Sequence, residues 1–149
     1  MFILTRTDSS HTDFLTLVSA LDKDLAIRDG DDHAFYAQYN KVDLIRHVVL
    51  AYAGDEVVGC GAIKEFTPGT MEVKRMYVPP ARRGQGIASL VLKELEAWAR
   101  EMKYKNCILE TGLAQPEAIA LYKKNCYAII PNYGQYAGVE NSVCFEKLL

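Results

Sequence analysis

Residues 71–89 read MEVKRMYVPPARRGQGIAS, a stretch that joins a strand-like segment to the start of an amphipathic helix. The apolar residues of the strand-like part fall on two parities: Met71 and Val73, then Met76 and Val78. Because side chains alternate between the two faces of a strand, a β-bulge near residues 74–75 would return all four to one face. The alternative is that Tyr77 keeps the original phase without a bulge.

The Gly-rich part of this stretch lies between the strand and the first turn of the helix. Its sequence is Arg82-Arg83-Gly84-Gln85-Gly86-Ile87-Ala88-Ser89. Glycines let the backbone approach a ligand closely, and the free N–H groups of a helix N-terminus favour an anion. No Gly-Lys-Ser/Thr follows, which excludes a P-loop, and the dinucleotide fingerprint lacks its third glycine. The segment therefore favours a pyrophosphate ligand; the alternative is a helix-opening loop whose arginines face solvent.

The patterns on both sides predict a single mixed β-sheet. Seven segments are strand-like: 2–6, 47–53, 56–67, 70–78, 106–110, 127–130 and 142–148. Gly- and Pro-containing turns make the second, third and fourth an antiparallel meander. A helical crossover then places the fifth strand parallel to the fourth.

Helical spacing accounts for most of the remaining chain. Four segments have helical features: a first helix capped at Ser9 or Ser10, the strongly amphipathic 87–102, 115–125, and a short helix within 28–40. The fold class is therefore α/β (α+β in some schemes), with a mostly antiparallel, twisted sheet of about seven strands and about four flanking helices.

Composition limits the possible classes of function. The chain has 149 residues, of which 50% are hydrophobic and 24% charged, and its formal net charge is -2. These values predict one domain over residues 1–149 and give no reason for attraction to nucleic acid or an anionic membrane. No segment has the pattern of a signal peptide or a membrane span. The four separated cysteines form no zinc-ligand spacing, so we expect a cytoplasmic protein with reduced cysteines and no metal.

The Gly-rich segment resembles the acyl-coenzyme A loop of the GNAT superfamily of N-acetyltransferases, whose pattern is Q/R-x-x-G-x-G/A. Arg83, Gly86 and Ala88 fill that pattern in register. The resemblance extends over residues 71–78 before the loop and residues 115–122 after it. In the second of these segments the motif A-x-x-L-Y, residues 118–122, stands at the place expected for the family. It implies the GNAT fold, in which the central parallel strands splay apart, and acetyl-CoA as cosubstrate.

The resemblance also implies where the cosubstrate binds. The pantetheine arm would pair with the backbone of Met76, Tyr77 and Val78. The diphosphate would lie on the amides of the loop: Arg83, Gly84, Gln85, Gly86, Ile87 and Ala88. Gln115 stands where relatives often carry asparagine, and its amide can still bond the cosubstrate. Cys126 stands where many relatives have glycine, so we expect the turn after this helix to differ.

Tyr122 matches the family's usual general acid, which protonates the coenzyme A thiolate as the tetrahedral intermediate collapses. A tyrosine pKa near ~10 keeps the phenol protonated at neutral pH, and a thiol pKa of about 8.5 makes the leaving sulfur a comparable base. The alternative is a helix tyrosine that only packs in the core.

The attacking amine must be neutral, so the need for a base depends on the acceptor. An α-amino group near pKa ~8 needs little help, whereas a lysine-like amine near ~10.4 needs a base or a proton relay. Glu72 on the bulged strand and Glu110 at the end of its neighbour are the two carboxylates placed to hold a water relay. Either could instead be a solvated strand residue, and some relatives have no dedicated base.

Two segments are candidates for acceptor recognition because the resemblance points to them: residues 31–40 and the late loop 133–136. The alternative is that both are ordinary exposed loops. The carboxylates available to attract a cationic amine are Asp31, Asp32 and Glu140. Lys74 and Arg75 beside Glu72 would instead bind an acceptor carboxylate and favour an amino-acid-like substrate.

The predicted function is direct transfer of acetyl from acetyl-CoA to a primary amine of an amino acid, a polyamine-like molecule or a peptide. A ping-pong route is disfavoured because no cysteine stands beside a recognisable base. The competing hypothesis is a non-catalytic acyl-CoA-binding or sensing domain, against which Tyr122 argues. Dimers are common in the family, so the resemblance allows a homodimer.

Overall fold

The computed structural model describes residues 1–30 and 44–149, which form seven strands and three helices. The strands are β1 (Ile3–Thr7), β2 (His47–Ala53), β3 (Glu56–Thr67), β4 (Thr70–Tyr77), β5 (Asn106–Gly112), β6 (Ala128–Ile130) and β7 (Ser142–Leu148). The helices are α1 (Thr12–Asp29), α2 (Ile87–Glu101) and α3 (Pro116–Lys124). The short helix predicted within 28–40 falls mostly outside the described residues.

The strands form one sheet in the order β1-β2-β3-β4-β5-β7-β6. β4 and β5 pair in parallel, and all the other neighbours pair antiparallel. The predicted fold class, a mixed and mostly antiparallel sheet flanked by helices, is confirmed.

The predicted bulge is present in β4. Cys60 of β3 pairs with Tyr77 and Ala62 pairs with Lys74, so three steps along β4 match two along β3. Arg75, inside this interval, has a φ of +60°. Met71 and Val73 before the bulge and Met76 and Val78 after it pack in the same core cluster, as side-chain alternation with a bulge predicts. Tyr77 packs in the cluster on the opposite face of the sheet, so it does not continue the phase of Met71 and Val73.

The bulge separates β4 from its parallel neighbour. The two strands pair only where residues 70–72 face residues 106–108. Beyond Glu72, β5 continues along β7 as far as Gly112. The splayed parallel pair is therefore confirmed, and it leaves a gap between the ends of β4 and β5.

Two hydrophobic clusters lie on opposite faces of the sheet. α2 and α3 cover one face, where Leu92, Leu95 and Phe145 are fully buried. α1 covers the other face through Phe14 and its neighbours. Burial of these apolar faces supplies the main favourable free energy of the fold.

The start of α1 corrects one expectation. Its N-cap is His11, whose Nδ1 accepts a hydrogen bond from the Asp13 N–H at 3.1 Å. The Ser9 hydroxyl instead accepts from the Ile45 N–H at 2.9 Å, and Ser10 bonds the side chain of Asp8. The prediction of a serine cap was wrong because both serines are used to hold the turn that precedes the helix.

Gly61 lets α2 pack closely against β3. A Cβ at this position would overlap the Met76 sulfur and would lie 2.9 Å from methyl groups of both Val91 and Leu95. We expect Gly61→Ala to lower the free energy of unfolding by about 1–3 kcal/mol, because added volume in a packed core forces side chains apart. Urea denaturation monitored by circular dichroism measures this change.

Gly112→Ala is the matched control for that substitution. Its Cβ would meet ordinary contacts, the nearest being the Gln115 side chain at 3.6 Å. Both substitutions lower the conformational entropy of the unfolded chain by a similar amount, so the difference between their effects on stability isolates the crowding at α2. Equal stabilities would show that α2 can move away from β3 at little cost.

Candidate active site

A cleft of about 420 Å³ occupies the gap between the diverging ends of β4 and β5. Its walls come from these two strands, the Gly-rich loop, the first turns of α2, helix α3 and the last turns of α1. The structure brings together at this cleft every predicted catalytic and cosubstrate-binding residue except Gln85. The prediction that these distant segments share one site is therefore consistent with the fold, and the role of each residue remains a prediction.

The Gly-rich loop presents an open backbone to one end of the cleft. Gly84 and Gly86 have φ values of +82° and +79°, which favour glycine. A Cβ at either position would meet no atom within 4 Å. Gly86 is the N-cap of α2, and the first turn of that helix carries no acidic residue. The loop therefore has open space beside its backbone and lies at the positive end of a helix dipole. Both features favour binding of a phosphate group.

The two arginines of the loop are held by other groups. Arg83 Nε donates to the Val78 carbonyl at 2.9 Å, and its guanidinium lies 5.7 Å from the Tyr77 ring centroid. Arg82 forms an exposed ion pair with Glu56. Arg83 therefore ties the loop to the end of β4, and it occupies one of the backbone acceptors predicted to face the pantetheine arm.

The end of α3 fixes the position of Tyr122. The Tyr127 N–H donates to the Tyr122 carbonyl at 3.0 Å, and the Cys126 N–H donates to the Lys123 carbonyl at 3.2 Å. These two bonds form a Schellman motif, whose left-handed residue is Cys126 with a φ of +72°. Cys126 thus adopts the left-handed conformation that glycine favours, although it carries a side chain.

The Tyr122 side chain is buried between other aromatic rings and reaches the cleft. Its ring centroid lies 5.8 Å from those of Tyr127 and Phe145. Burial raises the pKa of the Tyr122 phenol, and the nearby Glu110 carboxylate raises it further. Within residues 1–30 and 44–149, no hydrogen bond to the Tyr122 hydroxyl is formed. The phenol is therefore neutral at physiological pH and can donate to a group in the cleft.

Glu110 is a carboxylate whose environment disfavours its charge. Burial is the main cause that raises the pKa of Glu110 to about 7. The Ser142 hydroxyl donates to its Oε2 at 2.7 Å and opposes that rise. The negative charges of Asp29 and Glu72 add to the increase, and Lys74 lowers it. A carboxylate with a pKa near neutrality is suited to accept a proton during catalysis.

Glu72 has a different environment, although it lies in the same cleft. It accepts a hydrogen bond from the Tyr133 hydroxyl at 2.6 Å, and Lys74 Nζ lies 3.5 Å from its other oxygen. Burial, followed by the charge of Glu72, raises the pKa of Tyr133. Both oxygens of Glu72 are thus engaged, which favours a role in holding the late loop.

The late loop contributes one wall of the cleft. Tyr136 is buried and lines the cleft. Tyr133 lies behind it, with its ring 5.9 Å from Tyr136 and 5.1 Å from Phe66. Glu140 is exposed and does not line the cleft. The other predicted acceptor segment, residues 31–40 with Asp31 and Asp32, lies outside the described residues.

Gln115 begins α3 beside the end of β5. Its side chain lies over Gly112, and it lines the cleft without capping the helix. The amide is therefore available to a ligand at the position predicted by the resemblance.

Other classes of site find little support in the described chain. All four cysteines are free, and none lines the cleft. Within the two described ranges, no group of three or more His, Cys, Asp or Glu side chains could hold a metal ion. No helix in the same part of the chain is long and apolar enough to cross a membrane.

Comparison with known proteins gives a consistent family. The model of the acetyltransferase (GNAT) family matches residues 15–126. IAA acetyltransferase of Azospirillum brasilense is 42% identical over 106 residues, which cover 70% of this chain and 69% of that protein.

Solved structures have the same fold. A protein from Klebsiella pneumoniae subsp. pneumoniae MGH 78578, assigned as an acyl-CoA N-acyltransferase, matches with a TM-score of 0.84 at 30% identity, over 100% of this chain and 98% of that one. A GNAT family acetyltransferase from Elizabethkingia anophelis, solved with acetyl-CoA bound, matches with a TM-score of 0.70 at 19% identity, over 99% and 98%. At that identity the second match shows the fold alone.

The splayed sheet and the cleft between its central strands define an acyltransferase architecture. The chain belongs to the acetyltransferase (GNAT) family. The predicted GNAT fold and the predicted enzyme class, an acyltransferase, are both confirmed.

Proposed function

We propose that this protein, acting as one domain over residues 1–149, transfers an acetyl group from acetyl-CoA to a primary amine. The acceptor is an amino acid, a polyamine-like molecule or a peptide, and both substrates are bound before transfer. The observation that carries the proposal is the cleft between β4 and β5. The same cleft is lined by the open Gly-rich loop, by Tyr122 and by Glu110. The names of the relatives from Azospirillum and Klebsiella agree with acyl transfer.

The residues of the cleft fit coenzyme A. The backbone amides of residues 83–88 would hold the diphosphate, because the loop is open and begins a helix. The edge at residues 76–78, which does not pair with β5, would bind the pantetheine arm through the backbone groups that Arg83 leaves free, and Gln115 would bond it from the side of α3. Acetyl-CoA supplies the acyl group already activated as a thioester. The Elizabethkingia protein, which has the same fold, was solved with acetyl-CoA bound, which agrees with acetyl-CoA as the cosubstrate.

Tyr122 would act as the general acid. Its raised pKa keeps the proton on the phenol at neutral pH, and the thiolate that leaves is the base that would accept this proton. Because the Schellman motif and two aromatic contacts hold the ring, the hydroxyl is oriented before the substrates bind. This preorganisation lowers the cost of proton transfer.

Glu110 would accept the proton of the attacking amine, directly or through water. Its pKa of about 7 lets it be ionised at mildly alkaline pH and still take up a proton readily. Glu72, bound to Tyr133 and Lys74, would position the loop that forms the acceptor wall.

Thiol release from acetyl-CoA, measured across a panel of acceptors, tests the proposed function. The panel includes amino acids, polyamines, aminoglycosides, peptides with free N-termini or lysines, and IAA, for which the Azospirillum relative is named. We expect acceptor-dependent release by at least one amine. Calorimetry with coenzyme A is the parallel measurement. Binding without turnover of any acceptor would favour a sensing domain, and absence of binding would contradict the assignment of residues 83–88.

A further inference from the structure

Arg75 lies at the bulge of β4 in an uncommon conformation. Its φ of +60° belongs to the left-handed region that side-chain-bearing residues rarely adopt. From this position its guanidinium reaches α1, where Nη1 donates to Asp22 Oδ1 at 2.7 Å. The side chain is only 3% exposed, and Arg75 lines the same cleft as Glu110 and Tyr122.

One nitrogen of this guanidinium is left without a partner. Nη2 of Arg75 is buried and makes no hydrogen bond in the described part of the chain. An unpaired donor on a buried charged group is costly, and such groups are rare in folded proteins. Strained backbone conformations that persist also concentrate at ligand sites. An oxygen atom of a ligand in the cleft would satisfy Nη2.

Three other cations that line the cleft already have partners. Lys74 lies beside Glu72, Arg82 pairs with Glu56, and Arg83 donates to the Val78 carbonyl. Arg75 is also paired, through Nη1 with Asp22, but its Nη2 remains a donor without a partner in the described chain. A guanidinium matches the planar geometry of a carboxylate better than an ammonium does.

We infer that the amine acceptor carries a carboxylate, which accepts a hydrogen bond from Arg75 Nη2. The inference rests on the proposed function, because it names the acceptor class of the same cleft. Glu110 and Arg75 then serve the two ends of an amino acid: the carboxylate at Glu110 takes the proton from the amine, and the guanidinium holds the carboxylate. A polyamine has no group for Arg75 and would leave its donor unpaired. Amino-acid-like amines are therefore preferred over polyamines.

The test compares each common amino acid that carries a primary α-amine with its own carboxamide, and includes spermidine as the polyamine. The amide keeps the amine and the side chain but replaces the carboxylate by a neutral group. We expect kcat/KM for the best amino acid to exceed that for its amide by roughly 10- to 100-fold, the range for a hydrogen bond to a charged group. The ratio should fall toward unity in Arg75→Gln. Arg82→Gln is the matched control, since Arg82 lines the cleft from the Gly-rich loop and pairs with Glu56, and it should keep the ratio.

The outcomes separate this inference from the proposed function. Acetylation of amides or spermidine as fast as of amino acids by the unmodified protein would overturn the carboxylate inference and leave the transferase intact. An acid-to-amide ratio retained in Arg75→Gln would also overturn it. If no acceptor were acetylated, the proposed function would fail. Calorimetry of amino acids and amides against the full chain with coenzyme A would then still decide whether Arg75 binds a carboxylate.

Discussion

Tyr122→Phe is expected to lower kcat by roughly 10²- to 10⁴-fold, the usual contribution of a general acid, while coenzyme A binding is retained. The substitution removes only the hydroxyl. The ring contacts with Tyr127 and Phe145 remain, and the Schellman motif uses the backbone of residue 122. The loss should therefore appear in the proton-transfer step and leave the fold intact. Steady-state kinetics and calorimetry with coenzyme A measure the two effects separately.

Tyr104→Phe is the matched control for this variant. The Tyr104 hydroxyl donates to Glu65 at 2.6 Å, and Tyr104 does not line the cleft. Loss of that hydroxyl should leave kcat unchanged. If Tyr122→Phe also retained kcat, Tyr122 would be a packing residue of α3, and the proton would reach the leaving thiolate from another donor or from water.

The sequence predicts those features of the site that depend on neighbouring residues alone, namely the bulge in β4 and the open Gly-rich loop. Side-chain alternation along residues 71–78 is enough to place the bulge, because a change of parity has few structural solutions. The Gly-rich loop follows from residue types whose backbone preferences are strong. Gly84 and Gly86 adopt positive φ values as such a loop requires.

The environments of the two carboxylates depend on contacts that the sequence does not show. Glu72 is bound by Tyr133, which lies 61 residues away in the chain, and Glu110 is bound by Ser142. Alternation indicates which face of a strand each carboxylate occupies, but Tyr133 comes from a loop without periodicity, and Ser142 reaches Glu110 through the pairing of β7 with β5. The sequence therefore predicted two equivalent candidates, and the fold distinguishes them by burial and pairing.

One missed feature did leave a signal in the sequence. Glu96 follows Leu92 at a spacing of four and precedes Ala99 at a spacing of three, so it belongs to the apolar stripe of α2. Its side chain is buried, where Tyr127 donates to it at 2.9 Å and Lys147 pairs with it at 2.9 Å. A charge on a core-facing stripe indicates a buried partner, although the identity of Lys147 depends on how β7 pairs with β5.

Glu110→Gln is expected to remove one component of the acidic limb of the pH–rate profile. With a pKa of about 7, a base at Glu110 must be ionised, so its protonation should lower kcat/KM of the unmodified protein below that pH by about tenfold per unit, in addition to the fall caused by protonation of the acceptor amine. In the Gln variant only the fall caused by the amine remains, and the rate at pH 8 is lower by roughly 10²- to 10⁴-fold. Titration of the amine acceptor affects both proteins equally, so the ratio of their profiles reports Glu110 alone.

Stability measurements provide an independent readout for the same variant. The pKa of Glu110 is raised in the folded state from an ordinary value of 4.5, so its contribution to stability is fully present below pH 4.5 and is lost as pH rises through about 7. Glu110→Gln should therefore gain at most about 3 kcal/mol at pH 8 and nothing near pH 4.5. Glu72→Gln, the matched variant, should keep the kinetic limb of Glu110 but move it to lower pH, because the negative charge of Glu72 contributes to the raised pKa of Glu110. A Glu110→Gln protein that is more stable at pH 8 but fully active would show a buried carboxylate with no part in proton transfer.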